Sequence, residues 1–248
     1  MDGNTRMKIR LDKWLGALDQ GSRKQTQALI RTGRVQVNGE TVRDPGALAD
    51  PEQAALTVDG KPLDGRLARH VMLYKPAGVL TAARDPKQPT VMDLLDPVYG
   101  RLGCMPVGRL DKDTTGLLLL TTDGELNHRL LSPGRHVDKL YRATVEGRLT
   151  EADRERFAAG LTLEDFTALP AELRILRAAE DTSEAEVVLR EGKFHQVKRM
   201  FAAVGHEVIT LHRCSFGPLQ LDPSLSPGSW RELTAEELTL LRQAAGLG

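Results

Sequence analysis

Two carboxylates and an arginine precede a leucine run in the segment GRLDKDTTGLLLLTTDG, which begins at residue 108. Asp111 and Asp113 are two positions apart, and Arg109 precedes Asp111 by the same interval. Three chemistries use carboxylates in such a pattern. They are calcium binding by a D-x-D-x-T-G loop, acid–base hydrolysis by a carboxylate pair, and nucleophilic attack by a single aspartate.

Calcium binding is excluded by the residues that follow. An EF-hand loop needs a glutamate at its twelfth position and oxygen ligands at the seventh and ninth. The twelfth residue counted from Asp111 is Thr122, and four leucines follow the glycine at the sixth position. Leucine side chains supply no oxygen, so this segment cannot surround a hard cation.

The two catalytic interpretations remain open on spacing alone. Side chains at i and i+2 point the same way only on a strand, and no further acid or aromatic cluster supports a hydrolase pair. A single Asp111 could attack a carbon centre, with Arg109 binding a phosphate or keeping the carboxylate ionised. Spacing alone favours a third role, in which Asp111 merely caps the turn formed by Thr114, Thr115 and Gly116.

Composition limits the kind of protein that carries this segment. The chain has 248 residues, of which 40% are hydrophobic and 27% charged, as in ordinary globular proteins. It has no apolar run of about 18 residues and no apolar signal region near its polar N-terminus. Cys104 and Cys214 have no metal-ligand or disulfide spacing. We expect a cytoplasmic protein without a metal, without membrane contact and without a dimer surface, hence a monomer.

Charge is distributed unevenly although the net charge is zero. Residues 1–43 contain nine basic against four acidic side chains, a local charge of +5, whereas residues 151–189 contain four against ten, a local charge of −6. A basic first segment indicates either an anionic partner or simply a solvated helix face, and charge alone does not choose between them.

The basic segment contains a predicted helix–helix–hairpin unit. Leu11, Trp14, Leu15 and Leu18 fall on one helix face, and Ser22 is a suitable N-cap for a second helix that runs to about Thr32. On that second helix we expect one side to be buried and the other to carry the cations. The buried side comprises Ala28, Leu29 and Ile30. Asn38-Gly39 then predicts a tight hairpin between short strands.

Five cations gather around the second helix, and they suggest a phosphate-contacting surface. They are Arg23, Lys24, Arg31, Arg34 and Arg43. Over residues 7–55 this unit resembles the small RNA-binding domain of ribosomal protein S-four, which implies docking on structured RNA. We therefore predict an RNA-binding domain over residues 7–60 and a linker over residues 61–69.

From His70 onward short strands alternate irregularly with helices. This pattern predicts an α+β domain over residues 70–242, with a mixed, largely antiparallel sheet and flanking helices. The expected strands are VMLYKPAGVL, LLLLTT, YRATVEG, AEVVLREG and HEVITLHR, and the expected helices are ELNHRLLSP, TEADRERFAAG, HQVKRMFAAVG and TAEELTLLRQAAG. The leucine run 117–120 is expected in the core, where it would hold the Asp111 turn rigid.

Four segments in the second half match one family in the same order. GRLDKDTTGLLLLTTDG resembles the motif that carries the catalytic aspartate of the RsuA-type pseudouridine synthases. KPAGVLTAARDP resembles their first motif, in which a K-P-x-G turn supports the active site. YRATVEG resembles the strand that bears their active-site tyrosine, and EGKFHQVKRMFAAVG resembles their last motif. The matches span residues 70–235 and imply the pseudouridine synthase fold.

The resemblance also implies roles for individual residues. Asp111 would be the essential carboxylate, and Lys198 would be the cation that keeps it ionised, with Arg199 as the near alternative. Tyr141 would stack on a flipped uracil. Arg109 would fill the gap left by the flipped base or bind the adjacent phosphate, and His195 would contact RNA rather than act as a general acid.

The same resemblance defines the expected reaction and substrate. Pseudouridine formation needs no redox step and no transferred group, so we expect no cofactor. The amino-acid sequence of the last motif, HQVKRMFAAVG, favours a uridine in 16S ribosomal RNA. The alternatives are a 23S ribosomal RNA synthase of the same subgroup and a non-catalytic RNA-binding protein that assists ribosome assembly.

Overall fold

The computed structural model describes residues 8–247, which fall into two compact units. Unit 1 extends to Arg69 and also includes Asp96–Cys104, while unit 2 comprises His70–Leu95 and the chain from Met105 onward. Within the described residues, no helix is both long enough and apolar enough to cross a membrane.

Unit 1 contains short strands around three helices. Strands β3, β2, β5 and β6 form one antiparallel sheet in that order, and β1 pairs with β4. The elements are β1 (Ile9–Arg10), α1 (Leu11–Ala17), α2 (Arg23–Arg31), β2 (Val35–Val37), β3 (Glu40–Thr41), β4 (Leu48–Ala49), β5 (Leu56–Val58), β6 (Lys61–Leu63) and α3 (Pro97–Arg101). The predicted helix–helix–hairpin order is confirmed.

The core of unit 1 is centred on the apolar face of α1. Leu11, Trp14 and Leu15 are fully buried, as the helical spacing predicted. Ser22 caps α2 in a reciprocal capping box with Gln25. The buried side of α2 differs from the prediction: Ala28 is exposed, and the fully buried positions on this helix are Thr26 and Ile30, which lie one turn apart.

The segment predicted as a linker, residues 61–69, is packed onto unit 1. Its first three residues form β6, because Asp59 and Gly60 both take positive φ and turn the chain back along β5. The buried indole of Trp14 donates a hydrogen bond to the carbonyl of Gly65 at 2.7 Å. A Cβ at Gly65 would lie 2.4 Å from the Trp14 ring, so this contact requires glycine.

Unit 2 is built on one large sheet. Its elements are β7 (His70–Lys75), β8 (Met105–Pro106), β9 (Thr115–Thr121), α4 (Gly124–Leu131), β10 (Lys139–Glu146), α5 (Glu151–Ala159), β11 (Glu172–Ala178), β12 (Thr182–Leu189), α6 (Gln196–Ala203), β13 (Val208–Phe216), β14 (Leu219–Gln220), β15 (Trp230–Glu232) and α7 (Ala235–Ala244), with 3-10 turns at Val91–Leu94 and Pro133–Arg135.

The sheet is mixed and largely antiparallel, as predicted. Its strand order is β11-β12-β10-β13-β9-β7-β15, with β14 beside β13 and β8 beside β9. The pairing of β13 with β9 is parallel, and the other pairings are antiparallel. The sheet therefore brings the two strands that start after Thr114 and after Glu207 side by side near its centre.

The leucine run occupies this centre. Leu117 and Leu118 are 0% exposed and Leu119 and Leu120 are 1% exposed, so both faces of β9 are covered, which explains a continuous apolar run instead of an alternating one. Gly116 makes the close parallel approach possible. Its φ is +107°, and a Cβ there would lie 2.3 Å from the Arg213 carbonyl oxygen on β13.

Candidate active site

Asp111 lies in the connection between β8 and β9, and both of its flanks are fixed. The buried Leu110 is tied through its backbone N–H and its carbonyl to the hydroxyl of Thr81, at 3.2 and 2.8 Å. On the other side, the Thr114 N–H donates to the Asp111 carbonyl at 3.1 Å. The turn expected from D-x-x-T is therefore present, and it places the Asp111 side chain at the edge of the sheet.

Lys75, the last residue of β7, also holds the connection between β8 and β9 in place. This side chain is fully buried, and its Nζ donates to the carbonyls of Pro76, Lys112 and Thr114 at 3.0, 3.1 and 2.9 Å. Burial lowers the pKa of Lys75 to about 8, an effect that the nearby Asp113 and Asp111 oppose. One ammonium group thus ties the end of β7 to the residues around Asp111.

Two cationic or ionisable side chains face the Asp111 carboxylate. Lys198 Nζ is 3.6 Å from Asp111 Oδ2, and His195 Nε2 is 3.5 Å from Asp111 Oδ1. Lys198 has a closer partner in Asp113, whose two oxygens lie at 2.6 and 2.8 Å. That hydrogen bond lowers the pKa of Asp113 despite some burial. Lys198 is therefore shared between both carboxylates that the sequence singled out.

The start of α6 positions Lys198 and His195. His195 is the N-cap residue and takes the left-handed conformation at φ 50° and ψ 29°. The buried Gln196 holds the preceding loop, because its Oε1 accepts from the Lys193 N–H at 3.0 Å and its Nε2 donates to Glu191 at 2.6 Å. Lys198 then lies in the first turn of the helix, on the side that faces Asp111.

Tyr141 lines the same cleft from β10. Its ring is 8% exposed, and its hydroxyl lies 3.4 Å from Nη1 of Arg213 on the paired strand. Arg213 is itself 2% exposed, and its Nε donates to the Leu117 carbonyl at 2.7 Å. Its Nη2 is buried without a hydrogen-bond partner within the described part of the chain.

Arg213 was not predicted as a site residue. Arginine is a surface residue by default, and the only signal for its burial is its position two residues after Leu211, which places both side chains on the same buried face of β13. Its guanidinium braces the tyrosine from behind the cleft.

Four of the predicted site residues line one cleft. A fifth, Lys198, does not line the cleft, but its Nζ lies 3.6 Å from Oδ2 of Asp111. The residues that line the cleft include those expected to react and those expected to contact RNA. They are Arg109, Leu110, Asp111, Thr114, Tyr141, Leu189, Glu191, Gly192, Lys193, His195, Gln196, Val197 and Leu211. Arg109 is exposed at the edge of this cleft.

The remaining predicted RNA contacts are a half-buried cation on α6 and exposed cations of unit 1. Arg199 forms an ion pair with Asp165 and lies over the Phe166 ring, 5.1 Å from its centroid. In unit 1, Arg34 is paired with Asp59, and Arg43 donates to the Arg31 carbonyl at 3.2 Å. The structure also exposes Arg23, Lys24 and Arg31 along α2.

Comparison with known proteins gives a family for each of two successive segments of the chain. The model of the RNA pseudouridylate synthase family matches residues 69–203, and the model of the S4 domain matches residues 9–54. An uncharacterized RNA pseudouridine synthase, YtzG of Bacillus subtilis, is 43% identical over 95% of this chain and 99% of its own length.

Two relatives named for the ribosomal small subunit and one relative with a crystal structure also match most of the chain. Ribosomal small subunit pseudouridine synthase A is 42% identical in Pseudomonas aeruginosa and 41% identical in Escherichia coli, in each case over 93% of this chain and over 99% and 98% of theirs. A crystal structure of a pseudouridylate synthase is 35% identical, covers 94% of this chain and 99% of its own, and superposes with a TM-score of 0.65.

These matches confirm the resemblance that the four ordered motifs carried, and they agree with the observed order of a small helix–helix–hairpin unit before a mixed sheet. The chain therefore belongs to the RNA pseudouridylate synthase family, with an S4 domain ahead of the synthase domain, and is an RNA pseudouridine synthase.

Proposed function

We propose that this enzyme converts a specific uridine of 16S ribosomal RNA to pseudouridine in the cytoplasm, with Asp111 as the reacting carboxylate. The observation that carries the proposal is the placement of Asp111 in a cleft shared with Tyr141, 3.6 Å from the Lys198 ammonium group. The domain over residues 7–60 would anchor the RNA, and the domain over residues 70–242 would perform the reaction.

The reaction rearranges bonds within one nucleotide. The bond between the ribose C1′ and the uracil N1 breaks, the base turns, and C1′ joins to C5 of the same base. The C5 proton leaves to solvent and N1 takes up a proton, so no atom is gained or lost beyond that exchange. An ionised carboxylate beside the ribose is the group that such a sequence of steps needs from the protein.

Lys198 and Tyr141 support this carboxylate in different ways. The Lys198 charge favours the ionised form of Asp111 in a cleft that loses water when RNA binds. Tyr141 offers a ring for the uracil to stack on, and the buried Arg213 behind its hydroxyl fixes the ring in one orientation. Both side chains act on a base that has left the RNA stack.

The exposed cations serve RNA binding in this proposal. Arg109 lies at the edge of the cleft beside Asp111, where it can replace the flipped base or hold the neighbouring phosphate. His195 and Arg199 flank the start of α6 on the same side. Arg23, Lys24, Arg31, Arg34 and Arg43 of unit 1 would contact phosphates away from the reaction.

The choice of 16S ribosomal RNA is supported by relatives. Two proteins that are 42% and 41% identical over 93% of this chain are named for the ribosomal small subunit. The last motif of this chain, with His195 and Lys198 in HQVKRM, supports the same choice.

The substrate proposal is tested with ribosomal RNAs that carry tritium at C5 of uracil. We expect the enzyme to release tritium from 16S RNA, as naked transcript or in partly assembled small subunits, and not from 23S RNA. Release from 23S RNA alone would replace the proposed substrate with the large-subunit one. A modification-specific stop map of RNA from cells with and without the gene then identifies the uridine.

A further inference from the structure

Phe194 is an aromatic side chain left in solvent beside the cleft. It is 71% exposed, more than any other large apolar side chain among residues 8–247; the next is Leu48 at 62%. It lies in the loop between β12 and α6, directly before His195. An aromatic ring exposed at the rim of a functional cleft is a candidate contact for a ligand, because removing its apolar surface from water is favourable.

One face of the Phe194 ring is covered and the ring has a defined orientation. It stacks on the His195 imidazole with ring centroids 3.8 Å apart and an interplanar angle of 17°. His195 in turn reaches Asp111, with its Nε2 3.5 Å from Oδ1. The two rings therefore form a stacked pair that leads outward from the carboxylate in the cleft.

The loop that carries this pair is held in place before any ligand binds. Gln196 is 3% exposed and bridges the loop from Lys193 to Glu191 through two hydrogen bonds. Glu191 also accepts from the Leu169 N–H at 2.8 Å, which ties the loop to the segment before β11. A platform fixed in this way loses little conformational entropy when a ligand stacks on it.

The surroundings of Phe194 match a nucleotide better than an apolar protein surface. Lys193 precedes it and lines the cleft, and Arg199 follows on the first turns of α6. Both cations lie within 6 Å of the Phe166 ring, at 5.9 and 5.1 Å. Cations interleaved with aromatic rings are the composition that binds the phosphates and the bases of single-stranded RNA.

We propose that Phe194 forms a second stacking subsite, which holds the base of the RNA nucleotide next to the flipped uridine. This inference rests on the proposed function, because the uridine that enters the cleft is the one whose neighbour reaches Phe194. The spacing of 3.8 Å between the Phe194 and His195 rings is close to the stacking step of about 3.4 Å in nucleic acids. A base on the open face of Phe194 would therefore continue the existing stack.

The subsite has a distinct kinetic consequence. Loss of one base–aromatic stack weakens binding by about 5- to 150-fold. We expect Phe194→Ala to raise the half-saturating concentration of 16S RNA by a factor in that range, while the rate at saturating RNA falls less. Phe194→Tyr keeps the ring and should restore the half-saturating concentration to within about 3-fold of wild type. Leu240→Ala, an exposed apolar residue on α7, is the matched control.

A binding measurement keeps this proposal separate from the reaction. Short oligoribonucleotides that contain one uridine flanked by 2-aminopurine are titrated with the full-length protein. Stacking on Phe194 should quench the 2-aminopurine fluorescence with wild type and Phe194→Tyr, and the quenching should be lost with Phe194→Ala. Circular dichroism confirms that each variant folds.

The outcomes distinguish the two proposals. If wild type releases tritium from 16S RNA but Phe194→Ala changes neither the half-saturating concentration nor the quenching, the subsite is refuted and the proposed function stands. If wild type releases no tritium from either ribosomal RNA while quenching depends on Phe194, the proposed function is refuted and the nucleotide subsite stands. Equal quenching by Phe194→Ala and wild type overturns the subsite in every case.

Discussion

Lys198 stands between two carboxylates of one loop, and its hydrogen bonds go to Asp113 at 2.6 and 2.8 Å while Asp111 lies at 3.6 Å. The ammonium group can therefore approach Asp111 by a small rotation of a flexible side chain. RNA that displaces Lys198 from the exposed Asp113 would leave the full charge to Asp111. We propose that Asp113 keeps Lys198 close to Asp111 and takes no part in bond making.

Removal of the Lys198 charge should slow the chemical step. We expect Lys198→Met to lower the single-turnover rate of tritium release by about 10²-fold, the effect typical of removing one preorganised donor or charge from an active site. Lys112→Met is the matched control. Lys112 lies between Asp111 and Asp113 on their loop, but its ammonium group donates to Gln88 instead of a carboxylate. An unchanged single-turnover rate in Lys198→Met would remove this lysine from the mechanism.

The resemblance predicted that the charge of Lys198 acts on Asp111, but not that the hydrogen bonds of Lys198 go to Asp113. Their contact depends on the parallel pairing of β13 with β9 and on the placement of α6, which are distant in sequence. The buried Arg213 was out of reach for another reason. An arginine in a strand is exposed far more often than buried, and its partner Tyr141 is 72 residues away.

At the level of the structural elements, Lys75 joins the end of β7 to the Asp111 loop. Its pKa lies at about 8 in the folded protein against an ordinary value of 10.5, because burial penalises the charged form. Below pH 8 both states hold the proton and the cost of burying the charge is fully present. Between pH 8 and pH 10.5 the unfolded chain holds a proton that the folded protein has released.

Stability should therefore gain from Lys75 as the pH rises through this window. We expect the free energy of unfolding of wild type, relative to Lys75→Met, to increase by up to about 1.4 kcal/mol per pH unit between pH 8 and pH 10. Urea unfolding at four pH values measures the difference, and Lys87→Met, an exposed lysine, should run parallel to wild type. A difference that is flat or falls with pH would mean that Lys75 is not buried as a cation.

Periodicity predicted most elements and missed those with a weak pattern. The strands β10 and β12 alternate buried residues with half-buried or exposed ones along their length, so their sequences show the period of a sheet. The edge strand β11 has mostly exposed or half-buried positions, and β15 has three residues, so neither shows a clear alternation. The burial of α2 was misjudged at Ala28, because three consecutive residues cannot all face the same side of a helix.

At the level of the whole molecule, we propose that unit 1 anchors the RNA and that unit 2 carries out the reaction. Removing residues 1–60 would be a poor test of this division, because unit 1 includes Asp96–Cys104, whose Arg101 pairs with Asp19 at 2.8 Å. Charge substitutions on α2 leave that packing intact. Arg23 and Lys24 are exposed in the first turn of α2, whereas the buried residues of this helix are Thr26 and Ile30.

Neutralising these two cations should weaken binding more than reaction. We expect the double variant Arg23→Gln/Lys24→Gln to reduce the salt dependence of RNA binding by about one to two phosphate contacts, with a smaller effect on the single-turnover rate at saturating RNA. Arg174→Gln/Arg177→Gln, two exposed cations on β11, serves as the control. RNA affinity and salt slope identical to wild type would place the RNA anchor elsewhere.

We propose that Asp111 reacts with the target uridine, and one substitution tests this role directly. Asp111→Asn keeps the size of the side chain and removes its negative charge, while Asp181→Asn makes the same change at an exposed turn between β11 and β12. Single-turnover tritium release from 16S RNA should be undetectable with Asp111→Asn and equal to wild type with Asp181→Asn, with RNA bound by both. Tritium release by Asp111→Asn at a rate close to that of wild type would contradict the account.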